Sequence, residues 1–315
     1  MLTIRNLSHD PFYNQAFEEY IYQTFPDDDI FFLWQNSPAV VVGSYQNICR
    51  EVHVEALRRL GIPVVRRMTG GGTVYHDLGN VNYTYIVRTD GGWNYDDVLA
   101  PVIAALNAIG VPARKNRVCD IAIGDLKISG SAQRIVKGRL LHHGTLLFFS
   151  DLSVLDQITT HRKNDCFQSR GTQSAICTVT NIREHLASPM TIEEFQDRLL
   201  GQMVPPGSPH LTLTAEQEAE VCRLRDEKYR SWEWTWGRTP AFTYEKSGIF
   251  NGVPIRVAYQ AKRGIVSDAV IDCAAIDGAL AAQLLSGSRL DPEGFAEVCR
   301  RLAGNASNEL MDWLM

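Results

Sequence analysis

Between Arg66 and Asn80 the chain reads Arg-Arg-Met-Thr-Gly-Gly-Gly-Thr-Val-Tyr-His-Asp-Leu-Gly-Asn, which gathers two guanidinium groups, four glycines, an imidazole and a carboxylate. Consecutive glycines weaken a strand, so they suit a place where backbone approaches a ligand closely or adopts positive φ. Bare N–H groups in such a loop can cradle an oxyanion or a phosphate, while Arg66 and Arg67 add permanent charge and forked donors. The pattern is not a Walker loop, which needs Gly-Lys-Ser/Thr, and it is not the dinucleotide fingerprint. A lone Gly-Gly-Gly would read as a flexible turn. The flanking Arg-Arg and His76-Asp77 pairs turn the reading toward an anionic-ligand site. Further on, Lys127 stands beside the Gly124-Asp125 turn, and His142-His143-Gly144-Thr145 lies within a later apolar run.

Such side chains need rigid elements to hold them, and the hydrophobic periodicity predicts where those lie. Asp10-Pro11 followed by Phe12, Ala16, Phe17, Tyr20 and Ile21 reads as a capped, core-facing helix that stops before Pro26. The runs 30–34 and 40–43 read as two strands around Asn36-Ser37-Pro38, expected to pair. A helix from His53 to Leu60 closes at Gly61, and a strand over 64–67 enters the glycine run. Val81, Tyr83, Tyr85 and Val87 alternate along a strand that leaves it. From Asp97, the residues Val98, Val102, Ile103, Leu106 and Ile109 share one helical face, ended by Gly110. Residues 121–128 predict a hairpin over Gly124-Asp125, and 133–149 a second over Lys137-Gly138. The polar stretch from His161 to Thr180 is too long for an idle connection and reads as a functional loop. Helices are expected near 191–203 and 214–229, the second opened by Thr214 and Gln217 at capping-box spacing. After Pro240 come strands at 243–250, 253–259 and 265–271, with Asn251-Gly252 as a hairpin turn, and helices near 274–285, 292–302 and 307–314. The expected fold class is α/β (α+β): a mixed-sheet catalytic domain over 1–241 and a small α+β accessory domain over 242–315.

Composition narrows the function classes. With 315 residues, 45% hydrophobic and 21% charged, the chain can bury a large core, and a net charge of −5 argues against disorder and against a dedicated nucleic-acid binder. Apolar runs such as 30–34 fall far short of the ~20 residues that span a bilayer. The first residues show no signal-peptide pattern, so a cytoplasmic location is expected. Seven scattered cysteines with no Cys-x-x-Cys pair read as small hydrophobes in a reducing compartment.

These blocks, taken together, resemble the lipoate-protein ligases, in the larger group that includes biotin ligases and octanoyltransferases. The resemblance rests on Arg66-Arg67-x-x-Gly-Gly-Gly-x-Val-x-His76-Asp77-x-Gly-Asn80, Lys127-Ile-Ser-Gly-Ser-Ala-Gln133, His142-His143-Gly144-Thr145-Leu146-Leu147 and Val179-Thr180-Asn181. It also takes in the Trp34 to Gly43-x-x-Gln46-Asn47 region and Ser231-Trp232-Glu233-Trp234, so practically the whole chain is included. It implies a biotin/lipoate ligase-like fold and a two-step reaction. Lipoate and MgATP give lipoyl-adenylate and pyrophosphate, and an acceptor lysine then displaces AMP. Lys127 would be catalytic, bridging the carboxyl and the α-phosphate.

By the same resemblance Arg67, Gly72, Thr73, Val74, Tyr75, His76, Thr178 and Val179 would hold ATP or the adenylate. Gly71, Gly72, His76, Lys127, His143 and Gly144 would hold lipoate, with Trp34, Val42 and Gly43 as apolar neighbours. His76 could equally be a hydrogen-bonded core residue, and Asp77 could orient it or bind Mg²⁺. Residues 170–181 correspond to a loop expected to close over the adenylate. Ile176, Thr178 and Cys119-Asp120 depart from the family, which often has basic residues at the first two and Asn-Asp at the pair. Three alternatives follow: transfer from a preformed adenylate, a thioester on Cys119, or a non-catalytic lipoate-binding module. The implied partners are lipoyl domains of 2-oxoacid dehydrogenase complexes and the glycine-cleavage carrier protein, with no nucleic acid or membrane, and the chain acting as a monomer.

Overall fold

The computed structural model describes residues 1–89, 92, 94–159 and 166–315. Among these, the largest sheet is mixed and runs in the order His210–Leu211, Leu2–Ile4, Ile30–Trp34, Asn80–Arg88, Arg139–Leu147, Leu126–Val136, Asp120–Ile123, Arg114–Lys115. The period-2 pattern sorts its side chains between two cores. Phe31, Val81, Tyr83 and Leu140 face helices Tyr95–Ala108 and Ile192–Met203, whereas Ile30, Phe32, Ile86 and Leu141 pack with helix Pro11–Thr24. That helix starts where expected: Pro11 takes the first position and the Asp10 carboxylate accepts from the Phe12 amide.

A separate three-stranded sheet, in the order Val64–Arg66, Ala39–Val42, Val74–His76, lies beneath the glycine loop. The expected pairing of 30–34 with 40–43 does not occur. Asn36-Ser37-Pro38 carries the chain from one sheet to the other, and Ile30–Trp34 pairs with Leu2–Ile4 and Asn80–Arg88 instead. The two hairpins expected around residues 121–149 share one long strand, Leu126–Val136.

The third sheet is antiparallel, in the order Phe167–Ser169, Phe242–Phe250, Val253–Lys262, Ile265–Cys273. Asn251 and Gly252 take φ of 48° and 79° at its first hairpin, as an Asn-Gly turn requires. Of the stretch read as a functional loop, 161–165 lie outside the described residues, and 167–169 form a strand that edges this sheet. No helix among the described residues is long and apolar enough to cross a membrane.

Candidate functional site

Two cavities meet beside the glycine loop. The narrower, about 290 Å³, is lined among others by Trp34, Arg67, Gly71, His76, Asn82 and His143. The wider, about 1060 Å³, is a trough bordered by Arg50, Tyr75, Leu152 and the segment 173–179. Thr73, Val74, Arg117, Lys127, Gly130, Thr145, Ser174 and Ala175 border both. Sheet register builds the floor of the narrow cavity. Trp34 and Thr145 both pair with Asn82, and Thr145 Oγ1 accepts from the Gly130 amide at 3.1 Å. This row crosses four adjacent strands, so it is about 14 Å long at the usual strand spacing. Its far end is Trp34 and its near end Gly130, where a Cβ would come within 2.9 Å of Lys127 Nζ. Glycine there lets the lysine lie flat at the junction.

The two arginines act differently from their sequence reading. Arg66 is fully buried and gives its donors to the carbonyls of Thr235, Gly43 and Gln46 at 2.8 to 3.0 Å. Arg67, expected at the nucleotide, borders the narrow cavity and not the trough. It donates to Val41 O at 3.1 Å and to the Gly70 and Gly72 carbonyls, both at 2.6 Å. In a trans peptide, N–H points opposite to C=O. Drawing the Gly72 carbonyl inward therefore turns the Thr73 N–H outward, where Ser174 Oγ accepts it at 2.8 Å. Burial lowers both guanidinium groups to about 10, so both stay charged at neutral pH. Their charge organises the loop; its outward amide is what the loop offers an anion.

The histidines are oriented by buried partners. His76 borders the narrow cavity, and its Nδ1 lies 3.0 Å from Asn36 Nδ2. Burial, then Arg67 and His143, lower it to about 3, so it is a neutral imidazole. Since Asn36 donates to Nδ1, the proton resides on Nε2. His143 Nδ1 lies 2.8 Å from Glu18 Oε2, and Nε2 lies 2.8 Å from Thr69 Oγ1, which also accepts from Arg67. Glu18 in turn accepts from Thr84 at 2.6 Å. One buried polar chain thus fixes the cavity wall. Gly144 also lines the wall, and a side chain is excluded there because a Cβ would come within 2.4 Å of the Tyr83 ring.

Asp77, considered for Mg²⁺, borders neither cavity. Its Oδ1 accepts from the Gly79 amide at 2.9 Å and its Oδ2 from the Asp151 amide at 2.7 Å, so it shapes a turn. Among the described residues no three His, Cys, Asp or Glu side chains cluster as metal ligands. Tyr75, Thr178 and Val179 border only the trough, and Gly71, Gly72, His143 and Gly144 only the narrow cavity. Val41, rather than Val42 or Gly43, supplies the apolar neighbour; Val42 turns to the opposite core.

Lys127 stands at the junction. Its Nζ is 2.8 Å from Asp120 Oδ1, and its backbone bonds the segment 178–180 on both sides, N–H to Thr178 O and C=O from the Thr180 N–H, each at 3.0 Å. The same segment is anchored by Ser174, which bonds the Glu51 carboxylate and accepts from Gln46. Asp120, Ser174, Glu51, Glu18 and Thr69 were not singled out as site residues in the sequence. Asp120 was noted only in the Cys119-Asp120 pair, Ser174 lies in the loop 170–181 and Thr69 in the glycine motif, while Glu18 and Glu51 carry no local signal, because only long-range packing brings them in. Burial, then Asp120, pushes the Cys119 thiol up, so it is protonated at neutral pH and a poor nucleophile.

Residues 10–204 match the family model described as the lipoyl protein ligase A/B catalytic domain. Lipoate-protein ligase 1 of Staphylococcus aureus is 36% identical over 268 residues, 83% of this chain and 81% of the relative. A T. acidophilum structure with bound lipoic acid gives a TM-score of 0.63 at 25% identity, over 75% of this chain and 98% of that one. A lipoate-protein ligase A bound with ATP also gives 0.63 at 25% identity, over 74% of this chain and 96% of that one. These likenesses give the mixed-sheet domain the fold of the lipoate-protein ligase catalytic domains. Within that class, the chain belongs to the lipoyl protein ligase A/B family.

Proposed function

We propose that this chain activates lipoate with ATP, giving lipoyl-AMP and pyrophosphate, and passes the lipoyl group to a lysine of a lipoyl acceptor domain. The observation that carries this reading is the position of Lys127 at the junction of a narrow slot and a wide trough. The slot suits an eight-carbon acid and the trough a nucleotide, so their reacting ends would meet at this ammonium. A carboxylate is a poor acyl donor, and adenylation gives it a stable phosphate leaving group. The two anions approach only where fixed positive charge and N–H donors await them. Lys127 supplies the charge, and the outward Thr73 amide supplies a donor once Ser174 releases it. The segment 174–179 forms the trough wall that would keep water from the mixed anhydride.

Among the described residues no cluster of carboxylates or imidazoles forms a cage for Mg²⁺, so the ion would come held by the ATP phosphates and water, where it would neutralise phosphate charge. Acceptors are read as the lipoyl domains of 2-oxoacid dehydrogenases and the glycine-cleavage carrier, each of which presents the lysine that is acylated. ATP–pyrophosphate exchange driven by free lipoate tests the activation step. Exchange is expected from the native protein, and Lys127→Ala should lower it about 100-fold or more. Transfer from synthetic lipoyl-adenylate with no exchange would replace this reading by an acyltransferase, and dependence of transfer on Cys119 would restore the thioester route.

A further inference from the structure

Amide formation makes a demand that Lys127 does not meet. An unperturbed lysine titrates near 10.4, so the acceptor arrives as an ammonium with no lone pair to attack the adenylate. Some group at the junction must take its proton. The histidines are poorly suited. His76 is held neutral with Nδ1 taken by Asn36, and both nitrogens of His143 are engaged by Glu18 and Thr69. Among the carboxylates bordering the trough, Glu51 holds Ser174, Asp125 is exposed and pairs with Arg114, and Asp156 is exposed on helix Leu152–Ile158.

Asp120 is different. Among the described residues it is the one carboxylate that borders the narrow cavity, and its side chain is 5% exposed. Its described contacts, to Lys127 Nζ at 2.8 Å and the Cys119 thiol at 3.7 Å, both use Oδ1, which leaves Oδ2 for a further donor. The groups in contact with it are Lys127 and Cys119, and Arg67, His76, Tyr95, Arg117 and His143 line the same cavity. Lys127 sets an ammonium against its Oδ1, and the protonated thiol adds no charge.

We propose that Asp120 is the general base of the transfer step, which rests on the ligase reading above. Its carboxylate takes one proton from the acceptor ammonium. The freed amine forms a C–N bond to the acyl carbon, and the acyl C–O bond to phosphate breaks with its electron pair on AMP. The second proton on the attacking nitrogen passes to that phosphate. Lys127 steadies the departing charge throughout.

The test compares two half-reactions in the full chain: lipoate-driven ATP–pyrophosphate exchange, and single-turnover transfer from synthetic lipoyl-adenylate to a lipoyl domain. In Asp120→Asn, transfer is expected to fall about 100-fold further than exchange at pH 7. It should recover about tenfold per pH unit on the alkaline side, as solvent deprotonates the acceptor. With hydroxylamine, an amine already neutral at pH 7, the deficit should vanish. Asp120→Glu, which keeps a carboxylate beside Lys127, should restore part of the transfer rate and serves where the Asn variant does not fold. Equal losses in both half-reactions, unchanged by pH or by hydroxylamine, would show that Asp120 only positions Lys127 and would overturn the proposal. Native protein that transfers without exchange refutes ATP activation, and Asp120 is then judged on transfer alone, by its pH dependence and by the hydroxylamine arm.

Discussion

Burial decides what each titratable side chain can do here, and residue type alone does not reveal burial. His76 and His142 are lowered to about 3, by burial first and then by electrostatic contact with neighbours that include His143. In the unfolded chain each would titrate near 6.5. A folded-state pKa below the unfolded one means that the unfolded chain binds more protons between those values. The stability tied to a neutral imidazole is therefore complete above pH 6.5 and is lost as pH falls toward 3. His142 borders neither cavity and stacks on Tyr83 at 5.9 Å, so its replacement leaves the chemistry alone. His142→Phe should lose about 3 kcal/mol less stability than the native chain between pH 7 and pH 4.5, measured by urea unfolding at both. Equal losses would show that His142 already titrates freely. The sequence showed which residues were reactive in kind, Lys127 and His143 among them. It could not show that Arg66 and Arg67 spend their donors on carbonyls, because the partners include Thr235 and Val41, which only the fold brings close.

Local signals were legible wherever the physics is local. Capping at Asp10 and Thr214, the left-handed Gly61 and the Asn251-Gly252 turn all appear as read, because each depends on a few adjacent residues. Register and partner choice were not legible. Ile30–Trp34 and Ala39–Val42 look alike as apolar runs, yet each finds a different sheet. The strand Phe167–Ser169 has no periodicity to betray it, and it forms because Phe242–Phe250 offers it an edge. The glycine loop shows the consequence at this scale, since its position depends on the strand behind it. A Cβ on Gly43 would come within 2.3 Å of the Gly71 carbonyl oxygen, and that contact is backbone on both sides. Gly43→Ala should therefore displace the loop at a cost of about 1–3 kcal/mol. Lipoate-driven exchange should fall in proportion more than stability does, read by comparing exchange rate with unfolding midpoint. Unchanged exchange would mean that the loop moves without consequence for the site.

At the scale of the molecule, buried contacts run across the border expected between two domains. Composition and turn signals change near residue 241, which is why two domains were expected. One buried cluster nevertheless holds Val40, Val42, Val54, Leu57, Tyr75 and Ile158 together with Phe242, Tyr244, Val257, Phe295 and Leu314. Polar contacts cross the same border: Trp232 Nε1 donates to Leu290 O at 3.0 Å, and Arg58 donates to Asn308 Oδ1 at 3.1 Å. The three-stranded sheet that carries the glycine loop thus has its underside covered by residues beyond 241. Uncovering four such apolar side chains costs roughly 6–12 kcal/mol at about 1.5–3 kcal/mol each, comparable to the ~5–15 kcal/mol that holds a whole domain. A chain ending at residue 241 should therefore fail to unfold cooperatively, bind a hydrophobic dye and lose lipoate-driven exchange, while the full chain unfolds in one transition. Should the shortened chain unfold cooperatively at the full-length midpoint, residues 242–315 would be an appendage, and the glycine loop would owe its shape to the 1–241 segment alone.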